Sequence, residues 1–172
     1  KNQVIIPQIY KWATEPEAIE ELGNRKEAIY REILVESGLE PLPGAVDLFR
    51  ELKSAGIPMA VGTSTPLKNV ETVIGLIGAE GMFDAIISAE DVSHGKPDPE
   101  VFLKGADALG IDPANCAVFE DAVYGVEAGL AGGMKVVALT TTHPAATFDE
   151  AAPHKIVRDL SQVSLSLLRE LW

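Results

Sequence analysis

From Pro43 onward the chain repeats one rhythm: a short apolar run, a stop of glycine or polar residues, then a stretch with helical spacing. Ile57-Pro58-Met59-Ala60-Val61 halts at Gly62-Thr63-Ser64-Thr65, and a helix over about 66–77 follows. Asp84 to Ser88, Ala117-Val118-Phe119 and Lys135 to Leu139 are further runs, with a weaker one from His154 to Val157. Helical stretches lie between them: Ala45 to Ser54 with Val46, Phe49 and Leu52 inward, one opened by Asp98-Pro99, Val123 to Ala131, and a last one closing at Trp172. Runs this short and this apolar suit strands buried on both faces. Strands that alternate with helices must pair in parallel, because each helix returns the chain to the same edge. The expected fold is α/β, a Rossmann-like parallel sheet with helices on both faces.

The first forty residues read differently, as helix. Thr14-Glu15-Pro16-Glu17 fits a capping box with Thr14 as N-cap. Leu22, Ile29 and Ile33 then fall near one face, and Gly38 is a plausible stop. Pro41-Leu42-Pro43-Gly44 marks a joint. The expected division is residues 1–42 and residues 43–172.

A formal net charge of −12 argues against a nucleic-acid partner, since no basic stripe exists to neutralise phosphates. It argues equally against docking on an anionic membrane, and no apolar run approaches the ~20 residues that span a bilayer. One cysteine, Cys116, excludes an intrachain disulfide. A reducing compartment such as the cytoplasm fits, with organelle targeting upstream of Lys1 left open. The chain opens at Lys1 rather than Met, so a true N-terminus upstream is expected.

In an open α/β sheet, ligands bind beyond the C-terminal ends of the strands. Three of those ends carry polar groups. Thr63, Ser64 and Thr65 offer hydroxyls and backbone N–H groups just before a helix, which suits a phosphate oxygen. Lys96, in Gly95-Lys96-Pro97-Asp98-Pro99, is a point charge that can neutralise a phosphoryl group and a nearby carboxylate. Glu120 and Asp121 are adjacent acids at a strand end, hard oxygen ligands for Mg²⁺. Left uncompensated there they would be costly, and a divalent cation removes the cost. The expected ligands are a small phosphorylated metabolite and Mg²⁺. His143 and His154 lack metal-ligand spacing with the cysteine, and His94, just before Lys96, reads as a solvated loop histidine.

With these residues in this order, the chain resembles the haloacid dehalogenase superfamily, in particular its β-phosphoglucomutase and phosphoglycolate phosphatase group. V-G-T-S-T-P resembles the second motif, G-K-P-D-P-E the third, and F-E-D-A-V-Y-G-V-E-A-G the fourth. The resemblance implies that Thr63 and Lys96 hold a phosphoryl group and that Glu120 and Asp121 sit at a magnesium site. It also implies that residues 1–42 are the C-terminal half of a helical cap, with Lys26 turned to substrate.

One departure is large. The family's first motif, Asp-x-Asp-Gly, carries the nucleophile that becomes an aspartyl phosphate and the general acid–base. No two aspartates here are two positions apart. The resemblance puts that motif on a central strand between the Thr63 strand and the Glu120 strand. An empty slot there would expose two rows of backbone donors and acceptors. The expectation is therefore that this strand lies outside residues 1–172, and that a preceding segment or another chain fills its place. Two functions stand open: a magnesium-dependent phosphatase or phosphotransferase when intact, inactive as these 172 residues alone, or a non-catalytic phosphate-binding module.

Overall fold

The computed structural model describes Asn2 and residues 5–172. A π-helical turn over Ile5–Tyr10 precedes helix α1, Pro16–Ser37. Then follow α2 (Ala45–Ser54), β1 (Ala60–Gly62), α3 (Leu67–Leu76), β2 (Ala85–Ile87), α4 (Glu100–Leu109), β3 (Ala117–Glu120), α5 (Val123–Ala131), β4 (Lys135–Leu139), β5 (Lys155–Val157) and α6 (Leu165–Arg169). Among the described residues no helix is long and apolar enough to cross a membrane.

Every strand pairing is parallel. β1 pairs with β2, Ala60 opposite Ala85. β3 pairs with β4, Ala117 opposite Lys135, and β4 with β5, Val137 opposite Lys155. β4 shows why the apolar runs read as doubly covered strands: Val136, Val137 and Ala138 have no exposed surface. Alternate residues of a strand point to opposite faces. Val137 and Leu139 accordingly join Leu48 and Leu52 of α2 in one core, while Val136 and Ala138 join Ala106 of α4 and Val126 of α5 in the other. Helices thus cover both faces, as the alternation predicts.

β1 and β3 share no ladder, so the strands form two sheets, β1-β2 and β3-β4-β5. Between the facing edges lies a cavity of about 720 Å³, lined by Met59, Val61 and Gly62 on one side and Cys116, Val118 and Phe119 on the other. Its lining is mostly apolar.

Several local expectations shift. Glu15, not Thr14, is the N-cap of α1, with Pro16 at the first helical position and no side-chain cap bond; a proline there needs no N–H partner. Pro99, not Asp98, is the N-cap of α4 and has no side-chain cap bond; Asp98, one residue earlier, accepts from Glu100 N at 2.9 Å. Leu48 rather than Val46 takes the deep position of α2. Ile29 and Ile33 of α1 are exposed, and Tyr10 and Trp12 stack on each other with centroids 4.5 Å apart, also exposed.

The Pro43-Gly44 joint has a strict requirement. Gly44 sits at φ +79°, and a Cβ there would lie 2.3 Å from Ser161 N and 2.4 Å from its Cα. Asp159 holds that opposing segment by accepting from Ser161 N at 3.0 Å. Gly44→Ala is expected to cost about 2 kcal/mol, from left-handed backbone strain and backbone overlap together. An unchanged urea midpoint would overturn this close approach.

Candidate active site

The turn after β1 is built from its own hydroxyl. Thr63 N donates to Ile87 O at 2.9 Å, extending the β1–β2 ladder. Thr63 Oγ1 accepts from Thr65 N at 3.1 Å, a side-chain turn of the Ser/Thr type. The backbone N–H groups of Thr63 and Thr65, expected to face a phosphate, are therefore already engaged. What the half-buried Thr63 still presents is its hydroxyl proton, while Ser64 is exposed. The helix N-terminus is occupied too: Glu90 takes Leu67 N on both carboxylate oxygens, at 3.1 and 3.3 Å. An acid at the positive end of α3 is favourable, and it occupies the place the sequence reading gave to an anion. Glu90 follows the β2 run within Ser88-Ala89-Glu90-Asp91, but nothing in its spacing marks α3 as its partner.

The loop between β2 and α4 is tied at both ends. Asp91 accepts from the backbone N and hydroxyl of buried Ser88, at 2.7 and 2.6 Å, which holds its carboxyl below the usual range. Glu100 accepts from Ser93 N, from His94 N at 2.7 Å, and from Lys104 at 2.8 Å. Lys104 foremost, then the two backbone donors, push Glu100 down to about 2. His94 is exposed, its Nδ1 3.3 Å from Glu100.

That frame delivers Lys96 to the strand edge. Its Nζ donates to Gly62 O at 3.3 Å and to a carboxylate oxygen of Glu120. It also stands 4.7 Å from the centroid of the Phe102 ring, a cation–π arrangement. The Lys96 side chain is 16% exposed and that of Glu120 10%. Glu120 is therefore compensated by an ammonium, the neighbouring carboxylate that Lys96 neutralises. Asp121 is held separately, accepting from the Thr142 hydroxyl in the loop after β4.

Gly125 makes room for Glu120. A Cβ at Gly125 would lie 2.1 Å from the carboxyl carbon of Glu120 and 2.2 and 2.5 Å from its oxygens. The carboxylate thus rests directly on the first turn of α5, where only a glycine allows it.

Lys96 bridges Gly62, next to Thr63 at the end of β1, and Glu120 at the end of β3, with Asp121 next to Glu120 in sequence. Glu120 spends one oxygen on Lys96 and Asp121 one on Thr142. Each keeps a second carboxylate oxygen, so the donor set fits a hard divalent cation. Lys26 is not among these groups. Its Nζ pairs with Glu27 at 2.5 Å, where α1 meets α3.

A model of the haloacid dehalogenase-like hydrolases matches residues 5–133, a span that includes Thr63, Lys96, Glu120 and Asp121. Over 172 residues the chain is 33% identical to the chloroplastic 5-amino-6-(5-phospho-D-ribitylamino)uracil phosphatase of Arabidopsis thaliana, covering 99% of this chain and 45% of that protein. It is 39% identical over 116 residues to the fructose-1-phosphate phosphatase YqaB of Escherichia coli, covering 67% of this chain and 60% of that one. The chain thus spans about half the length of these two relatives. In fold it matches β-phosphoglucomutase from Clostridium difficile with a TM-score of 0.86, at 23% identity over 99% of this chain and 76% of that one. The family match covers most of the chain and the strand-edge residues with it: the chain belongs to the haloacid dehalogenase-like hydrolases.

Proposed function

We propose that the complete protein is a magnesium-dependent phosphatase or phosphotransferase of small phosphomonoesters, of sugar-phosphate or phosphoglycolate type. The supporting observation is the convergence of one ammonium, Lys96, on the Gly62–Thr63 turn and on Glu120. Thr63 donates its hydroxyl to one phosphoryl oxygen, and Lys96 neutralises another. These preformed donors act where charge develops as the phosphoryl group transfers. Glu120 and Asp121 hold Mg²⁺ through the oxygens they keep. The ion supplies further charge neutralisation at the phosphoryl group.

The nucleophile comes from outside these residues. A strand seated in the cavity parallel to β1 and β3 ends between Thr63 and Glu120. An aspartate at that end has its carboxylate oxygen beside phosphorus. It forms the new P–O bond as the ester P–O bond breaks, and a second acid returns a proton to the leaving alkoxide. Water then hydrolyses the aspartyl phosphate, or an acceptor hydroxyl takes the phosphoryl group. Residues 1–42, as part of a cap, exclude bulk water and select the leaving group, with Lys26 the candidate substrate contact. Charged phosphomonoesters do not cross membranes unaided, which suits action in the cytoplasm or an organelle interior.

The test is phosphate release from a panel of phosphomonoesters with Mg²⁺. It compares the 172-residue chain with the protein extended upstream of Lys1. The extended protein is expected to hydrolyse at least one ester and the shorter chain none. Turnover by the shorter chain would refute the external nucleophile. Tight ester binding by the extended protein without any turnover would establish a binding module instead.

A further inference from the structure

Helix α1 meets the core at α3, and one buried amide carries the polar part of that meeting. Asn69 is 1% exposed. Its Nδ2 donates to Glu27 Oε2 at 2.6 Å, and its Oδ1 accepts from Arg31 Nη1 at 2.7 Å. Glu27 and Arg31 stand one helical turn apart on α1, so they present one face. The acid accepts from the amide's N–H and the guanidinium donates to the amide's oxygen. An amide offers different chemistry on its two sides, so the arrangement fixes both the rotation and the axial position of α1. Glu27 is itself secured, accepting from Asn2 Nδ2 at 2.9 Å and from Lys26 at 2.5 Å. Burial alone pushes its carboxyl up; the hydrogen bonds from Lys26, Asn2 and Asn69 outweigh this and hold it below the usual range.

The position of Asn69 gives this contact a consequence. It lies in the first turn of α3, the helix that begins directly after the Thr63–Thr65 turn. A rigid helix start therefore carries the phosphate-facing hydroxyl at one end and the grip on α1 at the other. Buried polar groups of this kind gain little net stability over apolar packing, but they specify one arrangement among several. We propose that Asn69 is a positioning residue: it latches α1 in a single register against α3, and so sets where the cap stands over the Thr63 turn. The link to substrate rests on the proposed phosphatase reading; the latch itself does not.

Asn69→Asp tests it. The new carboxylate faces Glu27 without a donor, and two acids then compete for Arg31. Adding Glu27→Gln restores a donor to Asp at position 69 and leaves Arg31 in place. Amide hydrogen exchange of α1 is read against β4 as internal reference. Asn69→Asp is expected to speed exchange across residues 16–37 by about tenfold or more, leave β4 unchanged, and return to within about threefold of wild type in the double variant. Arg31→Met, which buries no new charge, should loosen α1 in the same direction. In the complete protein the same substitution should raise KM about tenfold while kcat falls less than threefold, and the double variant should recover KM. Unchanged α1 exchange, equal acceleration in β4, or no recovery in the double variant would each overturn the latch. Exchange that behaves as expected in a protein without turnover would uphold the latch and remove the phosphatase reading alone.

Discussion

Lys96→Met in the complete protein is expected to lower turnover by about 10²–10³-fold, the usual effect of removing one preformed electrostatic donor from a transition state. Methionine keeps a long apolar stem against Phe102 and loses only the charge, so packing is largely preserved. The same substitution strands Glu120. Its side chain is 10% exposed and its ammonium partner is gone. Breaking one partner of such a pair costs roughly 3 kcal/mol of folding stability, through the charge left behind. The two effects separate in the Lys96→Met, Glu120→Gln double variant. A neutral amide at position 120 needs no counter-charge, so stability should return toward wild type. Turnover should not return, because neither the ammonium nor the acid is present. A Lys96→Met enzyme with more than about a tenth of wild-type turnover would remove Lys96 from phosphoryl contact.

That coupling of Lys96 to Glu120 is where reading the sequence stops. The elements were legible because their signals are local. α5 spans Val123–Ala131 and β4 spans Lys135–Leu139, as the spacing predicts, since glycines separate the two and polar residues bound them outside. The parallel pairing followed from alternation alone. That β1 and β3 would share no ladder was expected only through the family resemblance, by noticing which motif these residues lack. Side-chain partnerships between loops were not legible. Which carboxylate Lys96 neutralises stays open until it is placed on Glu120. The Thr63–Thr65 turn reads as a set of open donors until its N–H groups are found paired to Ile87 O and Thr63 Oγ1. Glu90 at the start of α3 and Asn69 between Glu27 and Arg31 belong to the same class. Such contacts depend on where distant segments come to rest, and periodicity carries no information about that. The start of α1 failed for a different reason: Thr14 and Glu15 both precede a proline that needs no cap, so the local signal is degenerate.

Gly125→Ala should be nearly as damaging as the loss of Lys96, although alanine is the better helix former. Propensity alone would favour the change by about 1 kcal/mol. Space decides against it. The added methyl would meet the Glu120 carboxyl group at 2.1–2.5 Å, well inside contact distance. One of two things must move. α5 cannot easily withdraw, because Val126 and Ala128 in its middle have no exposed surface and are packed into the core. The Glu120 side chain must therefore swing away, taking its oxygen off Lys96 and off the position where it would share a cation with Asp121. A displacement of about 1 Å at a reacting centre typically costs about 10²-fold in rate, and this one is larger. Turnover of the complete protein should thus fall by about 10²-fold or more, while the propensity gain offsets only part of the stability lost with the ion pair, so the urea midpoint should also fall. Gly129→Ala on the same helix is the control. Its methyl would meet Val136 at 2.8 Å and Val118 at 3.3 Å, apolar neighbours remote from Lys96. That variant should lose stability and keep its turnover. If Gly125→Ala retains wild-type turnover, Glu120 has no catalytic placement to lose, and the proposed Mg²⁺ site at the end of β3 falls with it.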